Sequence, residues 1–465
     1  RPAALSGTCE MTRKAKKKLP VPVLAHPHPQ GAVKSRQLPR LAGRPSERAG
    51  HSATTAHLQA AYPFMAESPL TSAGVLIGHD AYGASFVYDP WTLYEAGHVT
   101  GPNMVVVGII GRGKSALLKS YLYRQRVFGR EAWVVDPKGE FRALAEAFGC
   151  EPISLRPGGE MRLNPLTRRG GSHGQQSLLR SVAQAALARP LKPEEDAGLR
   201  VALARADRDA LPAEPTLPDV VEALLKPDTE MARTLVTSEA ELAAGCREAA
   251  LALQRLCEGD LRGMFDGQTS AGIDLDASCV VIDLSAVSDS QAMGILMTCA
   301  TAWQRGIVLD RKRRSEQRGE IGAKQILLLD EAWRATSHVG ITDYLQQSFK
   351  LSRDLGVQNV IVLHRLSDLA AAGAAGSRER TIAEGLLADA ETKVVLAQTP
   401  DELEQIGQSL ALTKPELELV PDLARGEALW QIGQRTFYVR HTLSRFEWPL
   451  IDTDARMRAG QKEAA

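Results

Sequence analysis

Long apolar runs, paired cysteines and net charge are all scarce in this 465-residue sequence. No apolar run approaches the roughly twenty residues that a membrane-spanning helix needs, and no secretory signal peptide is visible. Six cysteines are scattered, and because none forms a Cys-x-x-Cys pair, neither a zinc ribbon nor a disulfide framework is indicated. Free thiols in a chain of this size favour the cytoplasm.

The net charge of +1 hides a basic beginning. The first fifty residues hold eleven Lys and Arg against two acids, so the rest of the chain is acidic by eight charges. Residues 1–55 are rich in Pro, Lys, Arg, Ala and His without periodicity, which predicts a basic disordered tail. The run from Arg13 to Lys18 is either a solvated stretch or a contact for anionic lipid or nucleic acid.

Residues 56–98 are predicted to form an N-terminal hairpin segment. Two short strand candidates, 74–78 and 84–88, flank a turn-like connection, and Pro90 then begins a helical turn. We expect this hairpin to pack on the edge of the main sheet. It can also carry a contact to a neighbouring subunit.

One stretch has the pattern of a nucleotide phosphate-binding loop. The apolar run from Met104 to Val107 predicts a short buried strand, and helical apolar spacing begins after Ser115. Glycines between them let consecutive backbone N–H groups curl around a phosphate, and the helix N-terminus adds positive potential. The lysine reaches the β and γ phosphates, and the following hydroxyl can ligate Mg²⁺. The predicted loop comprises Gly108, Gly111, Arg112, Gly113, Lys114, Ser115 and Ala116.

A second buried strand, 132–135, ends at Asp136. Pro137 and Gly139 turn the chain at the carboxyl edge of the strand, which is where ligands bind in open α/β sheets. Asp136 and Glu140 are therefore placed near the nucleotide, where Glu140 can polarise water or sense the γ phosphate. The alternative is a capped turn that carries a surface glutamate.

An all-α insert is predicted between residues 167 and 262. Helical spacing recurs over four segments separated by Pro- and Gly-bearing turns, and Ser177, Thr216 and Ser238 are candidate N-caps. A strand over 278–285 then returns the chain to the sheet, and a long helix follows from Ser290 to about Asp310. The basic stretch 311–318 is predicted as a loop that is either solvated or faces nucleic acid.

Two adjacent carboxylates follow the next apolar run, Gln325 to Leu329. Four consecutive apolar residues predict a central parallel strand that is buried on both faces, which places Asp330 and Glu331 at its end. Such a pair is costly to bury without a partner. Mg²⁺ held through water by Asp330 supplies one, and Glu331 can then orient or deprotonate the attacking water.

Another buried strand, 359–364, ends in His364, a position that faces the γ phosphate in many proteins with this kind of phosphate-binding loop. A closing hairpin is predicted over 426–440, and the residues from 446 to 465 are predicted as a C-terminal tail.

Several motifs resemble the conjugation ATPases of type IV secretion systems (VirB/TraC type) within the HerA/FtsK-like superfamily. They are Val-Val-Asp-Pro-Lys-Gly-Glu140, Leu-Asn-Pro-Leu166, Gly-Met-Phe-Asp-Gly267, Val-Ile-Asp-Leu284, Leu-Asp-Glu-Ala-Trp333 and Arg425-Gly-Glu-Ala-Leu. The resemblance covers about residues 56–445. The segment His57–Phe64 is most similar to actinobacterial members from integrative elements.

This resemblance implies an α/β fold: a RecA-like P-loop NTPase with a mostly parallel central sheet, an all-α insert and a small N-terminal β-hairpin. The ATPase core then comprises residues 99–166 and 263–445. ATP and Mg²⁺ are the implied cofactors. Lys114 and Ser115 become the phosphate and Mg²⁺ residues, Asp330 the Walker B carboxylate and Glu331 the catalytic base. His364 stands where many relatives have glutamine.

The resemblance further implies a homo-oligomeric, hexameric ring in which an arginine from a neighbouring subunit completes each site, with Arg353 and Arg425 as the candidates. Channel components of a conjugation apparatus and DNA are the implied partners, and the implied location is the cytoplasm or the inner face of the membrane. The first functional hypothesis is an ATP-hydrolysing motor for conjugative transfer or type IV-like secretion. The alternatives are a DNA translocase or conjugative coupling protein, and a nucleotide-binding assembly module that does not hydrolyse ATP.

Overall fold

The computed structural model describes Leu70 and residues 73–259, 261–287, 290–320, 322–332, 346–366 and 385–451. The predictions for the basic tail 1–55, for the segment 57–64 and for the tail from 452 onward lie outside the described residues.

The described residues form one eleven-stranded sheet with the order β2-β1-β11-β10-β9-β3-β8-β7-β4-β6-β5. Its strands are β1 Val75–Asp80, β2 Ser85–Tyr88, β3 Met104–Val107, β4 Glu131–Asp136, β5 Ile153–Ser154, β6 Cys279–Asp283, β7 Gln325–Leu329, β8 Val357–Leu363, β9 Thr392–Val395, β10 Glu427–Ile432 and β11 Arg435–His441. The seven strands from β9 to β5 run parallel, and the remaining pairs are antiparallel. The predicted mostly parallel sheet is therefore confirmed.

The apolar runs of the sequence become the central strands because both faces of the sheet are covered. Every residue of β3, β7 and β8 is buried, and one hydrophobic cluster lies on each face. A parallel sheet with two covered faces selects continuous apolar strands rather than alternating ones.

The predicted hairpin forms at the edge of the sheet. Strands β1 and β2 pair antiparallel, and β1 also pairs with β11. Asp80 shapes the connection because its side chain accepts the backbone N–H groups of Tyr82 (2.9 Å) and Ala84 (2.8 Å). Gly83 completes the turn with a φ of +84°. The predicted edge position of this hairpin is confirmed.

The helices of the described chain are α1 Pro90–Glu95, α2 Lys114–Gln125, α3 Arg142–Ala147, α4 Gly171–Leu187, α5 Pro193–Asp209, α6 Leu217–Leu225, α7 Thr229–Thr234, α8 Glu239–Glu258, α9 Ser290–Arg318, α10 Ser352–Leu355, α11 Leu403–Leu410, α12 Lys414–Leu419 and α13 Trp448–Ile451. No helix in these ranges is long and apolar enough to cross a bilayer.

The first helix of the α insert begins earlier than the predicted N-cap Ser177 indicates. Thr216 and Ser238 are the N-caps of α6 and α8, as predicted. Ser177 is not a cap, because α4 has already begun at Gly171. Thr167 instead caps a 3₁₀ turn directly before α4, and the Gln175 side chain donates to the Leu166 carbonyl (2.6 Å).

Asn164 ties the insert to the core. This fully buried residue donates from Nδ2 to the Pro215 carbonyl (2.9 Å), and its Oδ1 accepts the Leu166 N–H (3.0 Å). Its carbonyl accepts the indole N–H of Trp303 on α9 (2.7 Å). The insert side chains join the hydrophobic cluster that covers one face of the sheet. The insert is therefore packed continuously with that face.

The basic stretch 311–318 is helical rather than a loop, so this prediction is wrong. Helix α9 continues to Arg318 because acidic partners neutralise its charges. Arg311 forms ion pairs with Glu131 and with Asp276 (3.2 Å), and Arg314 pairs with Asp310 one turn earlier (2.7 Å).

Candidate active site

The phosphate loop leaves the centre of the sheet between β3 and α2. Gly108 donates its N–H to the Leu363 carbonyl (3.3 Å), so the loop starts between β8 and β9. A Cβ at Gly108 would lie 2.7 Å from the Cβ of Leu396. Gly111 and Gly113 have φ values of +80° and +104°, which glycine adopts without strain. The predicted glycines are thus required by this backbone path.

Lys114 begins α2 and folds back over the loop. Its Nζ donates to the carbonyls of Gly108 and Ile109, the second at 3.1 Å. The residue is buried, and this burial, together with the charge of Lys138, lowers the pKa of the Lys114 amine to about 8. Ser115 and Ala116 lie half-buried on the first turn of α2, and Arg112 is half-buried in the loop.

Strand β8 lies between the phosphate-loop strand β3 and the strand β7, which directly precedes Asp330. This order places His364, which follows β8, next to Glu331, which follows Asp330. Nε2 of His364 forms a hydrogen bond with the Glu331 carboxylate. The structure therefore brings together two of the predicted site residues that lie 33 positions apart in the chain.

Glu331 is held in a strained backbone conformation. Its φ of +53° is in the left-handed region, which costs a residue with a side chain about 1 to 2 kcal/mol. The residue is 4% exposed. Burial alone would raise the pKa of its carboxyl, but hydrogen bonds from His364 and Lys138 outweigh it and hold this pKa well below the usual range. Glu331 is therefore ionised and held in one orientation by these two partners.

Asp330 is also buried, and its Oδ2 has no hydrogen-bond donor within the described residues. Burial raises the pKa of this carboxyl, and the charge of Lys138 offsets part of the rise. The described ranges hold no group of three His, Cys, Asp or Glu side chains that could bind a metal ion by themselves. A buried carboxylate oxygen without a hydrogen-bond donor instead fits Mg²⁺ that brings most of its ligands as water and nucleotide oxygens.

Asp136 serves the loop that follows β4. Its carboxylate accepts the backbone N–H groups of Lys138 (3.1 Å), Gly139 (2.9 Å) and Phe141 (2.8 Å). Burial raises the pKa of Asp136 to about 6, although these N–H groups oppose the rise. The Asp136 carboxylate is thus committed to its own turn. Glu140, in the same loop, lies half-buried and close enough to Lys114 to oppose the fall in the lysine pKa.

Lys138 is the residue of this site that the sequence analysis missed. Its Nζ lies 2.5 Å from Oε1 of Glu331, 3.7 Å from Oδ2 of Asp330 and 3.2 Å from Nε2 of His364. Its position just after the predicted end of the strand at Asp136 is the feature of the sequence that could have indicated Lys138 as a site residue. The pairing itself depends on β4 lying directly beside β7, which is a property of the sheet order.

The two candidate arginines lie at opposite ends of the parallel strands. Arg353 lies in α10, just before β8 begins, and its guanidinium donates to the Thr100 carbonyl (3.4 Å) on the far side from the loop. Arg425 lies beside the phosphate loop of its own chain, because the N–H of the adjacent Gly426 donates to the Arg112 carbonyl (3.0 Å). Only Arg425 is therefore near the loop within one chain.

Comparison with known proteins shows similarity at the level of structure. No protein-family model matches the chain, and no curated protein matches it in sequence. VirB4 of Thermoanaerobacter pseudethanolicus matches with a TM-score of 0.65 at 21% identity, over 82% of this chain and 99% of VirB4. The plasmid coupling protein TrwB in complex with ADP and Mg²⁺ matches with a TM-score of 0.53 at 18% identity, over 80% and 91% of the two chains. An unbound form of the bacterial conjugative coupling protein TrwB gives 0.51 at 17% identity, over 74% and 85%. The fold of this chain is therefore the RecA-like P-loop α/β fold that it shares with VirB4 and the coupling protein TrwB.

Proposed function

We propose that this chain is an ATP-hydrolysing motor that powers conjugative DNA transfer or type IV-like secretion. The observation that carries the proposal is Glu331 itself. A buried, ionised glutamate in a strained conformation, oriented by His364 and adjacent to Asp330, has the form of a general base for water. The similarity to VirB4 and to TrwB with bound ADP and Mg²⁺ supports the nucleotide and the process.

The chemistry follows from the positions of the side chains. Lys114 exchanges its contacts with the Gly108 and Ile109 carbonyls for the β and γ phosphate oxygens of ATP. Ser115 and Asp330 are the residues that would hold Mg²⁺, which neutralises phosphate charge when it is bound. Glu331 takes a proton from the attacking water, and His364 keeps its carboxylate in place. Asp136 orders the loop that bears Glu140.

We further propose that the complete site forms between subunits of a ring, hexameric as in the sequence-based hypothesis. Arg353 lies at the edge of the sheet opposite the phosphate loop, so it can serve a nucleotide only in a neighbouring copy. Arg425 is the candidate for a contact within the same chain. DNA and the channel proteins of a conjugation apparatus are the proposed partners of this ring.

A test of turnover uses the full chain with no DNA, single-stranded DNA and duplex DNA, with the native mass measured in parallel. We expect ATP hydrolysis in an oligomer, and loss of turnover in Lys114→Ala because the phosphates lose their lysine. Lys226→Ala is the matched control, since Lys226 is exposed on the insert and its ion-pair partner within the described ranges is Glu222, also on the insert. Unchanged turnover in Lys114→Ala would show that the motor assignment is wrong. Strong stimulation by duplex DNA would favour the coupling-protein alternative.

A mixing experiment tests the shared site. Glu331→Gln and Arg353→Ala should each be inactive alone, because one lacks the base and the other the neighbouring arginine. Co-assembly of the two variants creates interfaces that combine Glu331 from one copy with Arg353 from the next. We expect partial recovery of ATPase activity in the mixture; an inactive mixture of confirmed hetero-oligomers would exclude Arg353 as the shared arginine. Turnover by neither wild-type nor mixed protein, with nucleotide still bound, would favour a non-hydrolysing assembly module.

A further inference from the structure

Lys138 makes contacts that the proposed hydrolysis does not use. One ammonium group lies between Glu331 (2.5 Å), His364 (3.2 Å) and Asp330 (3.7 Å). Both carboxylates are buried, whereas about a third of the Lys138 side chain, 32%, remains exposed. The Lys138 ammonium therefore contacts, from the solvent side, both of the acids that follow β7.

The main chain beneath this lysine is fixed. Asp136 accepts the N–H groups of Lys138 and Gly139, and Gly139 has a φ of +70°. A Cβ at Gly139 would lie 3.0 Å from Oγ of Ser285, so the chain just after β6 packs closely against the turn. Only the flexible side chain of Lys138 is free to move while its backbone stays in place.

Two adjacent buried carboxylates need a positive charge whether or not a nucleotide is present. Within the described residues, Lys138 is the cation that forms ion pairs with both of them. Mg²⁺ bound with a nucleotide would bring two positive charges close to Asp330, and two cations repel each other at such distances. The lysine and the metal ion therefore compete for Asp330.

We propose that Lys138 is a positioning residue that acts as a tethered cation: it neutralises Asp330 and Glu331 between turnovers and is displaced from Asp330 when a nucleotide binds with Mg²⁺. This inference rests on the proposed function. The displacement gives the carboxylate pair a charged partner at every stage of the cycle. It also weakens the hold of the site on Mg²⁺·ADP and so favours product release.

The test measures binding of a fluorescent ADP to the full chain, first in EDTA and then with increasing Mg²⁺. Removing the competing charge in Lys138→Met should tighten Mg²⁺·ADP binding by roughly tenfold, the effect of one modest charge interaction. Binding of metal-free ADP should not tighten. Lys138→Arg keeps the charge and should resemble wild type, and Lys226→Met controls for the loss of a lysine far from the site. Equal or weaker Mg²⁺·ADP binding by Lys138→Met would overturn the proposal, and weaker binding would identify Lys138 as a phosphate ligand.

A second measurement needs no variant. Amine acetylation of the wild-type chain, read by mass spectrometry at Lys138, should rise when Mg²⁺·ADP binds, because the ammonium leaves its ion pair with Asp330. Unchanged or reduced labelling would contradict the displacement. If the wild-type chain binds no nucleotide under any condition, both the proposed function and this inference fail. If it binds nucleotide but neither readout at Lys138 responds, only the inference fails.

Discussion

Two buried glutamates, Glu195 in the insert and Glu331 in the candidate site, hold their charges in different ways. Glu195 is fully buried and receives two hydrogen bonds of 2.8 Å from Arg189 and a third of 2.8 Å from the Lys192 N–H. It lies in the first turn of α5, where a negative charge also suits the helix dipole. Glu331 instead has a strained backbone and shares Lys138 with the adjacent Asp330.

The difference separates a carboxylate that stabilises a fold from one that is available to react. Every partner of Glu195 named above belongs to the insert, so its charge is satisfied permanently and locally. The partners of Glu331 come from two other strands, β4 through Lys138 and β8 through His364. A carboxylate that must take up and release a proton benefits from such exchangeable partners.

The largest expected effect is on turnover. Glu331→Gln should lower the rate of ATP hydrolysis by about 10²- to 10⁴-fold because the general base is removed. ATP binding should persist, since Lys114 and the loop are intact, and bound ATP should accumulate. Single-turnover kinetics and the ratio of bound ATP to ADP would measure both. Hydrolysis at the wild-type rate would show that Glu331 is not the base.

Removing the charge of the insert glutamate, Glu195, should affect folding rather than ATP hydrolysis. Glu195→Gln leaves Arg189 without its buried anion, and we expect the thermal midpoint to fall by about 2 to 5 °C. Turnover per folded molecule should stay at the wild-type value, because the insert residue does not touch the site. Thermal unfolding alongside ATPase assays would check this. A loss of turnover without a loss of stability would remove the contrast between the two glutamates.

Acid should erase the stability difference between wild type and Glu195→Gln. The hydrogen bonds from Arg189 lower the pKa of Glu195 below its usual range, and this effect exceeds the rise that burial causes. A carboxyl with a lowered folded-state pKa contributes stability that is present above its unfolded value and is lost as the pH falls through the folded value. The gap in urea midpoint between the two proteins should therefore be full at pH 7 and narrow below about pH 4.5. A gap that does not depend on pH would mean that packing, and not charge, accounts for it.

The sequence predicts elements better than it predicts partners. The phosphate loop and the Asp330–Glu331 pair are readable because an apolar run marks a buried strand and the polar residue after it marks the carboxyl edge. Lys138 was missed because its contacts depend on β4 lying beside β7. The predicted end of helix α9, at about Asp310, is too early because Arg311 is neutralised by residues distant in sequence. Long-range pairing is what local periodicity does not encode.

A smaller effect should come from the joint between insert and core. Asn164→Ala leaves the Pro215 carbonyl and the Leu166 N–H without the amide that satisfies them. We expect the thermal midpoint to fall by about 2 to 3 °C, the effect of losing two buried hydrogen bonds. Gln408→Ala, at an exposed helical position in α11, is the control for loss of an amide. A midpoint equal to that of wild type would mean that the insert is held by its hydrophobic contacts alone.

The smallest effect concerns the outer member of the insert network. Glu248 accepts hydrogen bonds from Arg189 (2.6 Å) and Lys192 (3.1 Å), but 59% of its side chain is exposed. Water already solvates its charge, so Glu248→Gln should shift the thermal midpoint by less than about 1 °C. Thermal unfolding of the variant beside Glu195→Gln makes the measurement. A shift as large as that of Glu195→Gln would mean that the number of ion pairs decides the effect. A negligible shift would mean that burial of the carboxylate, which Glu195 has and Glu248 lacks, decides how much a paired glutamate stabilises the fold.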